Sequence, residues 1–447
     1  MEVKQFRGKN VLIMGLGLHG GGTGAAAFFA HLGSRVTVTD LKSKRELASS
    51  LAKLRRSKSI TYHLGGHRAG DFKSADYVIK GPGVPENSKF LKIARQAGIS
   101  ILSDVEIFFL ACPAPIIGIT GTKGKSTTTW LLGQFLQRGL RKHIWVGGNI
   151  RKSVLGFLRR VKKNDLVVLE LSSFQLDSLK HSRKSPHIAL ITNIFPDHLN
   201  RYASMAAYAA SKSGIFKFQK PGDYLFLNVR DAVLRRIAAR VKSRVIRFDP
   251  QKILTYYRKS ISAHVHDFHL PNIAAAVAVA RHFGVEEAVV QKVLRRFRGM
   301  PDRMELVRKF RGVSFINDTT ATNPTAAEEA VISTKRRIGR QRLVVIAGGY
   351  DKGLVVNNFV RALVRHAATV VFLPGAASER IKLNIKKQKS KIDASGAYTM
   401  EEAVRMAYRA AKPAGVVLLS PGAASFGLFK HEFDRGEQFV KAVRALH

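Results

Sequence analysis

A glycine-rich loop that ends in lysine, serine and threonine constrains the fold of this chain more than any other feature. The apolar run 115–120 leads directly into Gly-Thr-Lys-Gly-Lys-Ser-Thr. In such a loop, backbone N–H groups surround phosphate oxygens, the final lysine reaches the outer phosphates, and the serine hydroxyl can ligate Mg²⁺. A strand, a phosphate loop and a helix in this order predict an α/β domain. The predicted phosphate-binding residues are Gly121, Thr122, Lys123, Gly124, Lys125, Ser126 and Thr127.

The spacing of this loop departs by one residue from the strict P-loop pattern. Ile119 stands where the first glycine of that pattern would be, and Gly118 lies one residue earlier. A chance match is the alternative in a chain that contains 37 glycines. The apolar strand before the loop and the helical pattern after it favour a phosphate site.

A second glycine-rich turn lies near the N-terminus. It follows the apolar run Asn10–Met14, precedes a helical segment, and consists of Gly15, Leu16, Gly17, Leu18, His19 and Gly20. Glycines in this position let the backbone approach a pyrophosphate at the positive end of a helix. The next predicted strand, Arg35–Thr39, ends at Asp40. On pattern alone, an NAD site, another nucleotide site and a structural turn all remain open.

Two further predicted strands end in residues that can bind a metal ion. Glu170 follows the apolar run 166–169, and His198 follows the strand 188–192. Ligands of open α/β sheets gather at the carboxyl ends of the strands. Taken singly, each residue has an ordinary interpretation, as a helix-capping carboxylate or a loop histidine. Together with Lys125 and Ser126, they predict a site for Mg²⁺ and phosphate.

Apolar runs alternate with amphipathic helical stretches along the whole chain, which is the pattern of βαβ units with buried parallel strands. The pattern restarts after each candidate boundary, last at the predicted strands 313–316, 343–347, 369–373 and 416–420. We therefore predict an α/β protein of three domains. These are a Rossmann-like domain at 1–109, a P-loop domain with a mostly parallel sheet at 110–302, and a Rossmann-like domain at 303–447.

The composition adds limits of its own. Lys and Arg total 75 against 31 acidic residues, a formal net charge of +44, so polyanions should be attracted. The basic residues are dispersed and no zinc-finger or RNA-binding signature occurs, so nucleic acid is expected only as a non-specific polyanion. The single cysteine, Cys112, excludes an internal disulfide. No apolar run is long enough to span a bilayer and the N-terminus resembles a strand, so a cytoplasmic location is expected.

Several longer runs resemble the Mur ligase family. GITGTKGKSTTT, ELSSFQLD, and DHLNRY with YAASK are similar to its central domain. GLGLHGGG, NDTTATNP and LLSPGAASFGLFKHEFDRG are similar to its glutamate-adding branch. The resemblance covers nearly the whole chain. It implies ATP-dependent addition of D-glutamate to UDP-N-acetylmuramoyl-L-alanine through an acyl phosphate, in peptidoglycan precursor synthesis, by a monomeric enzyme that uses ATP and two Mg²⁺ ions.

The resemblance also implies roles for individual residues. The UDP-substrate, rather than NAD, would be bound by Gly15, Leu16, Gly17, Leu18, His19, Asp40, Gly81, Pro82, Gly83, Asn149 and Ser172. Asn272, Arg303 and Asp318 would flank the adenosine of ATP. The amino acid would contact Thr322, Lys352, Ser425 and Phe426.

The implied catalytic group consists of Lys125, Glu170, His198 and Lys212. Ser126 and Glu170 would hold one metal, and His198 would hold the second together with Lys212 as its carbamate (N6-carboxylysine). Only the YAASK context separates Lys212 from an ordinary helix lysine.

Two departures from the family leave alternatives open. Thr320 stands where many relatives have lysine, and Asn200 replaces a common aspartate. A sister ligase that adds another amino acid, L-glutamate included, is one alternative, although no Asp-Asn-Pro-Arg run of the diaminopimelate-adding branch is present. A folylpolyglutamate synthase would lack the Gly15–Gly20 domain. A catalytically inactive, polyanion-binding relict would be expected to have lost Lys125, Glu170, His198 or Lys212.

Overall fold

The computed structural model describes residues 2–18, 20–55, 57, 59–148, 153–195, 202–237, 241–262, 265, 269–388, 390 and 392–447. They form two compact units, one of residues 1–258 with 271–293, the other of residues 259–270 with 294–447. Across these described ranges, none of the helices is both long and apolar enough to cross a bilayer.

The first sheet of the first unit is fully parallel, with the strand order β3-β2-β1-β4-β5. Its strands are β1 Asn10–Met14, β2 Arg35–Asp40, β3 Ile60–Leu64, β4 Tyr77–Lys80 and β5 Ser100–Leu102. A 3₁₀ turn at Val3–Phe6 precedes them, and the helices are α1 Gly21–His31, α2 Ala48–Ala52, α3 Ala69–Ser74, α4 Lys89–Gln96 and α5 Asp104–Ala111. The order reverses between β1 and β4, which places their following loops side by side.

The second sheet of this unit is also parallel, in the order β11-β10-β9-β6-β8-β7. Its strands are β6 Ile116–Thr120, β7 Ile144–Gly148, β8 Leu166–Glu170, β9 Ile188–Ile191, β10 Tyr224–Asn228 and β11 Arg244–Phe248. The helices of this stretch are α6 Lys125–Gly139, α7 Leu155–Leu158, α8 Ser173–Ser182, α9 Met205–Ser213, α10 Ala232–Ile237, α11 Pro250–Tyr257, α12 Leu270–His282 and α13 Glu287–Arg296. Every residue of β6, β8 and β9 is buried, as expected for strands covered on both faces.

The sheet of the second unit has the order β12-β13-β17-β14-β15-β16. Its strands are β12 Glu305–Phe310, β13 Val313–Asn317, β14 Leu343–Ala347, β15 Thr369–Phe372, β16 Asp393–Gly396 and β17 Val416–Leu419. Its helices are α14 Pro324–Ile338, α15 Asn357–His366, α16 Ala376–Lys387, α17 Met400–Ala411 and α18 Glu432–Arg444. All pairs are parallel except β12 with β13.

The predicted α/β class with mostly parallel sheets is confirmed, and the predicted strands coincide with observed ones. The antiparallel edge was not predicted. It arises from a two-residue turn, Arg311-Gly312, whose φ angles of 44° and 83° suit a tight hairpin. The domain boundaries at 109 and 302 stay predictions.

Candidate functional site

The predicted phosphate loop connects β6 to α6, and its glycines are required by close packing. Gly121 and Gly124 have φ angles of 148° and 83°. A Cβ atom at Gly121 would lie 1.9 Å from Thr192 Oγ1, and one at Gly124 would lie 1.8 Å from Asn272 Oδ1. A side chain at either position would therefore displace its neighbour. Asn272, predicted to flank ATP, lies against this loop.

Polar side chains at the end of β9 hold the centre of the phosphate loop. The N–H of Lys123 donates to Asn193 Oδ1 at 2.9 Å, and Asn193 Nδ2 donates to the Lys123 carbonyl at 3.1 Å. The Thr192 hydroxyl donates to the same carbonyl at 2.6 Å. These two residues were not among the predicted site residues. Their place at a strand end beside β6 is the signal that could have identified them.

Lys125 and Ser126 occupy the first turn of α6, where the helix dipole is positive. Lys125 Nζ donates to the carbonyls of Gly121 and Thr122, each at 3.0 Å. Ser126 and Thr127 are buried. The backbone N–H groups of this first turn and the lysine ammonium together suit a bound polyphosphate.

Glu170 is the last residue of β8 and pairs in register with Ile119 of β6. Only 2% of its surface is exposed. A carboxylate and the Ser126 hydroxyl are oxygen donors that Mg²⁺ prefers, and Mg²⁺ commonly uses few protein ligands together with substrate phosphates. Within the described ranges, no cluster of three or more His, Cys, Asp or Glu side chains could hold a metal ion. His198, the other predicted metal ligand, lies outside the described residues.

Lys212 projects from α9 to the phosphate loop and is 2% exposed. Its Nζ atom donates to the Gly121 carbonyl at 2.8 Å and lies 4.6 Å from the centroid of the Tyr208 ring. Lys125 donates to the same carbonyl, so the two ammonium groups lie within about 6 Å of each other. Two like charges at this distance in a buried site repel each other.

The N-terminal glycine loop meets the loop after β4, because Gly81 N–H donates to the Met14 carbonyl at 2.9 Å. Asp40 is 7% exposed and organises the first loop. Its carboxylate accepts from Gly17 N–H at 3.0 Å and from Lys42 N–H at 2.9 Å. The structure therefore gives Asp40 a role in shaping the predicted UDP site; a direct contact with the uridine stays a prediction.

The other residues predicted for the UDP site stay predictions, and the structure describes several of them. The Ser172 hydroxyl takes part in the capping box of α8, accepting from Gln175 N–H and donating to the Gln175 side chain. Leu16 is buried, and Leu18, Pro82 and Gly83 are partly or fully exposed beside the two loops. His19 and Asn149 lie outside the described residues.

In the second unit, Thr322 and Lys352 line one small cleft together with Arg380. Lys352 Nζ donates to the Thr322 carbonyl at 3.5 Å. Ser425 is buried and Phe426 is exposed, and the Phe426 ring packs edge-to-face on Tyr350 at 5.6 Å between centroids. Arg380 was not predicted, because one arginine in a helix rich in basic residues gives no local signal.

Asp318 is buried, and its two carboxylate oxygens accept from Met304 N–H and the Ser420 hydroxyl, both at 3.3 Å. The Nε2 atom of the His269 ring lies 3.2 Å from the carbonyl oxygen of Arg303. Thr320, at the position where the family resemblance predicts lysine, donates to the Asp302 carbonyl at 3.0 Å.

A second arginine that sequence reasoning missed is fully buried in the same unit. Arg435 donates to the Thr319 hydroxyl and carbonyl at 3.1 and 2.9 Å, and to the Ala423 carbonyl at 3.2 Å. Burial lowers the pKa of Arg435 to about 10. It ties the loop after β13 to the loop after β17. The Arg-Gly pair that ends the HEFDRG run is the sequence feature that could have identified Arg435.

Replacing Gly124 with alanine is expected to weaken ATP binding by about tenfold or more. The left-handed backbone alone costs a non-glycine residue about 1–2 kcal/mol, and the new Cβ atom would collide with Asn272. Calorimetric titration with ATP measures the effect. Gly156→Ala is the matched control, since a Cβ atom there meets nothing within 4 Å. Equal ATP affinity in the two variants would contradict the prediction.

Three family models match consecutive parts of the chain. They are the Mur ligase MurD-like, N-terminal domain over residues 9–103, the Mur ligase middle domain over 119–281, and the Mur ligase, glutamate ligase domain over 302–422.

Individual proteins also match over nearly the full length. The UDP-N-acetylmuramoylalanine–D-glutamate ligase of Roseiflexus sp. (strain RS-1) is 39% identical, covering 99% of each chain. The enzyme of the same name from Geobacter metallireducens is 35% identical, covering 99% of this chain and 98% of its own. The crystal structure of a UDP-N-acetylmuramate–alanine ligase from Thermotoga maritima aligns with a TM-score of 0.63 at 20% identity, covering 98% of this chain and 99% of its own. At this identity the last match bears on the fold alone.

Proposed function

The chain belongs to the Mur ligase family, and from this we propose that it joins D-glutamate to UDP-N-acetylmuramoyl-L-alanine with conversion of ATP to ADP and phosphate, in peptidoglycan precursor synthesis. The observation that carries the proposal is the phosphate loop between β6 and α6, in a chain that aligns from end to end with relatives named UDP-N-acetylmuramoylalanine–D-glutamate ligase.

The reaction requires two steps. A carboxylate oxygen of the UDP-substrate attacks the γ-phosphorus of ATP, the bond from that phosphorus to ADP breaks, and an acyl phosphate forms. The neutral amine of the amino acid then attacks the acyl carbon, phosphate leaves, and the nitrogen loses a proton. Both partners of the first step are anions, so the site must neutralise charge and hold the atoms in line.

The residues of the first unit suit this demand. The first turn of α6 presents backbone N–H groups and the Lys125 ammonium to the phosphates. Ser126 and Glu170 would hold one Mg²⁺ ion, and His198 with carbamylated Lys212 would hold a second. Magnesium, when bound, would supply positive charge that offsets the charge of the phosphates.

A carbamate at Lys212 is supported by the carbonyl that this residue shares with Lys125. The Lys212 ammonium first loses a proton, and the neutral amine then adds CO₂ with loss of a second proton, which gives a carboxylate-like carbamate anion. That change replaces repulsion from Lys125 with attraction and creates a metal ligand.

The remaining assignments belong to the same proposal. The UDP-substrate binds at the glycine loops after β1 and β4, at the point where the strand order reverses. Asn272, Arg303 and Asp318 contact the adenosine, and Thr322, Lys352, Ser425 and Phe426 contact the amino acid. Domain boundaries at 109 and 302, a monomeric state and a cytoplasmic location complete it.

A substrate panel tests the proposal. The full-length protein is given ATP, Mg²⁺ and UDP-N-acetylmuramoyl-L-alanine, and phosphate release is measured with D-glutamate, L-glutamate, L-lysine or diaminopimelate. Release that depends on D-glutamate is the expected result. Release with another amino acid alone would assign the chain to a sister ligase. Folded protein that binds polyanions in a salt-dependent way, without releasing phosphate under any condition, would replace the ligase with the polyanion-binding alternative.

A further inference from the structure

The loop that presents Lys352 has no regular structure of its own. Residues 351–356 between β14 and α15 form neither helix nor strand, and Gly353 has a φ of 70°. Lys352 itself is exposed, and its Nζ atom makes a long contact, 3.5 Å, with the Thr322 carbonyl. A cationic side chain on such a loop needs a neighbouring element to fix its position.

Arg380, on α16, connects the beginning and the end of this loop. Its Nη2 atom donates to Asp351 Oδ1 at 2.8 Å and to the Leu354 carbonyl at 2.6 Å. Asp351 Oδ1 also accepts from Gly353 N–H at 2.8 Å. The side chains of Arg380 and Asp351 are 33% and 23% exposed, so solvent screens this pair less than a fully exposed one.

We propose that Arg380 is a positioning residue for the incoming amino acid: by holding residues 351–354 it places the Lys352 ammonium in the cleft beside Thr322. The inference rests on the proposed function, because it takes this cleft as the amino-acid subsite. A pre-formed loop spares the substrate the entropy of ordering it, and the ammonium can then meet a substrate carboxylate directly.

Arg380 also neutralises Asp351, the residue next to Lys352. Without the guanidinium, the Asp351 carboxylate would compete for the Lys352 ammonium and repel an anionic substrate. The cleft would change from net positive to neutral. Arg380 thus acts both on the geometry and on the charge of the subsite.

Steady-state kinetics separates this role from a general structural one. Arg380→Met is expected to raise KM for D-glutamate by about 10- to 100-fold, the range for a lost charged hydrogen bond. We expect kcat and the KM values of ATP and the UDP-substrate to change by less than about threefold. The KM of Arg380→Lys for D-glutamate should lie between those of the wild type and Arg380→Met. Adding Asp351→Asn to Arg380→Met should lower this KM part of the way back, since it removes the unpaired charge.

The matched control is Arg361→Met, which removes an exposed arginine of α15 whose side chain donates to Asn358. It should behave as the wild type. An unchanged KM for D-glutamate in Arg380→Met would overturn the inference. An equal rise in the KM values of D-glutamate, ATP and the UDP-substrate, together with a lowered melting temperature, would also overturn it, because that pattern indicates a structural role.

Hydrogen exchange of the loop amides tests the inference without any substrate. The amides of residues 352–354 should exchange at least about tenfold faster in Arg380→Met than in the wild type, because the loop loses its connection to α16. Unchanged exchange would overturn the positioning role even if the wild type released no phosphate with D-glutamate. Failure of the proposed function is thereby distinguished from failure of this inference.

Discussion

Lys125→Ala is expected to lower the rate of ATP-dependent phosphate release by about 10³-fold, because its ammonium is the charge at the phosphate loop that the developing transition state requires. In the structure, Lys125 Nζ donates hydrogen bonds to the carbonyls of Gly121 and Thr122, and these bonds hold the side chain over the loop. The measurement is the rate at saturating ATP, D-glutamate and UDP-N-acetylmuramoyl-L-alanine, beside the melting temperature of the variant.

The control for this variant is Lys142→Ala, which removes an exposed lysine of the same unit beyond the end of α6. It should keep the wild-type rate within about twofold. If Lys125→Ala lost less than about tenfold in rate while it remained folded, the loop would not act as an electrostatic clamp on phosphate. A loss of folding is not expected, since the Gly121 carbonyl still accepts from Lys212 and each lost hydrogen bond costs about 1 kcal/mol.

The second large effect concerns Lys212, for which replacement by alanine should lower the rate by about 10²- to 10³-fold. If the active form is a carbamate, a short carboxylate such as acetate or formate should enter the space left by the side chain and restore part of the rate. A cationic lysine would instead be replaced by small amines. Comparing acetate with methylammonium at equal ionic strength therefore identifies the charge that the site needs at this position.

Removal of CO₂ provides a second test of the carbamate. Removal of dissolved CO₂ and bicarbonate should lower the wild-type rate reversibly, and it should leave Lys212→Ala unchanged. Lys217→Ala, an exposed lysine five residues further on, is the matched control and should respond as the wild type does. Rescue by methylammonium and not by acetate would contradict the carbamate and assign Lys212 a cationic role beside the Gly121 carbonyl.

Local patterns along the chain were sufficient for the α/β class, the position of the phosphate loop and the strands that surround it. Gly124 illustrates why: a left-handed backbone at the start of a helix has a direct residue signature. The apolar run 115–120 likewise predicts a strand buried on both faces, and Ile116–Thr120 form such a strand. Each of these features depends on residues that are neighbours in sequence, so the sequence alone could specify them.

Tertiary structure alone decided which distant residues meet. Strand order places β8 and β9 on either side of β6, and this brings Asn193 to the phosphate loop. The carbonyl shared by Lys125 and Lys212, and the two hydrogen bonds of Arg380, join residues from different βα units. Periodicity specifies what lies on a strand or a helix, whereas strand order and helix packing depend on the free energy of the whole chain. For this reason these contacts have no signature in any local run of residues.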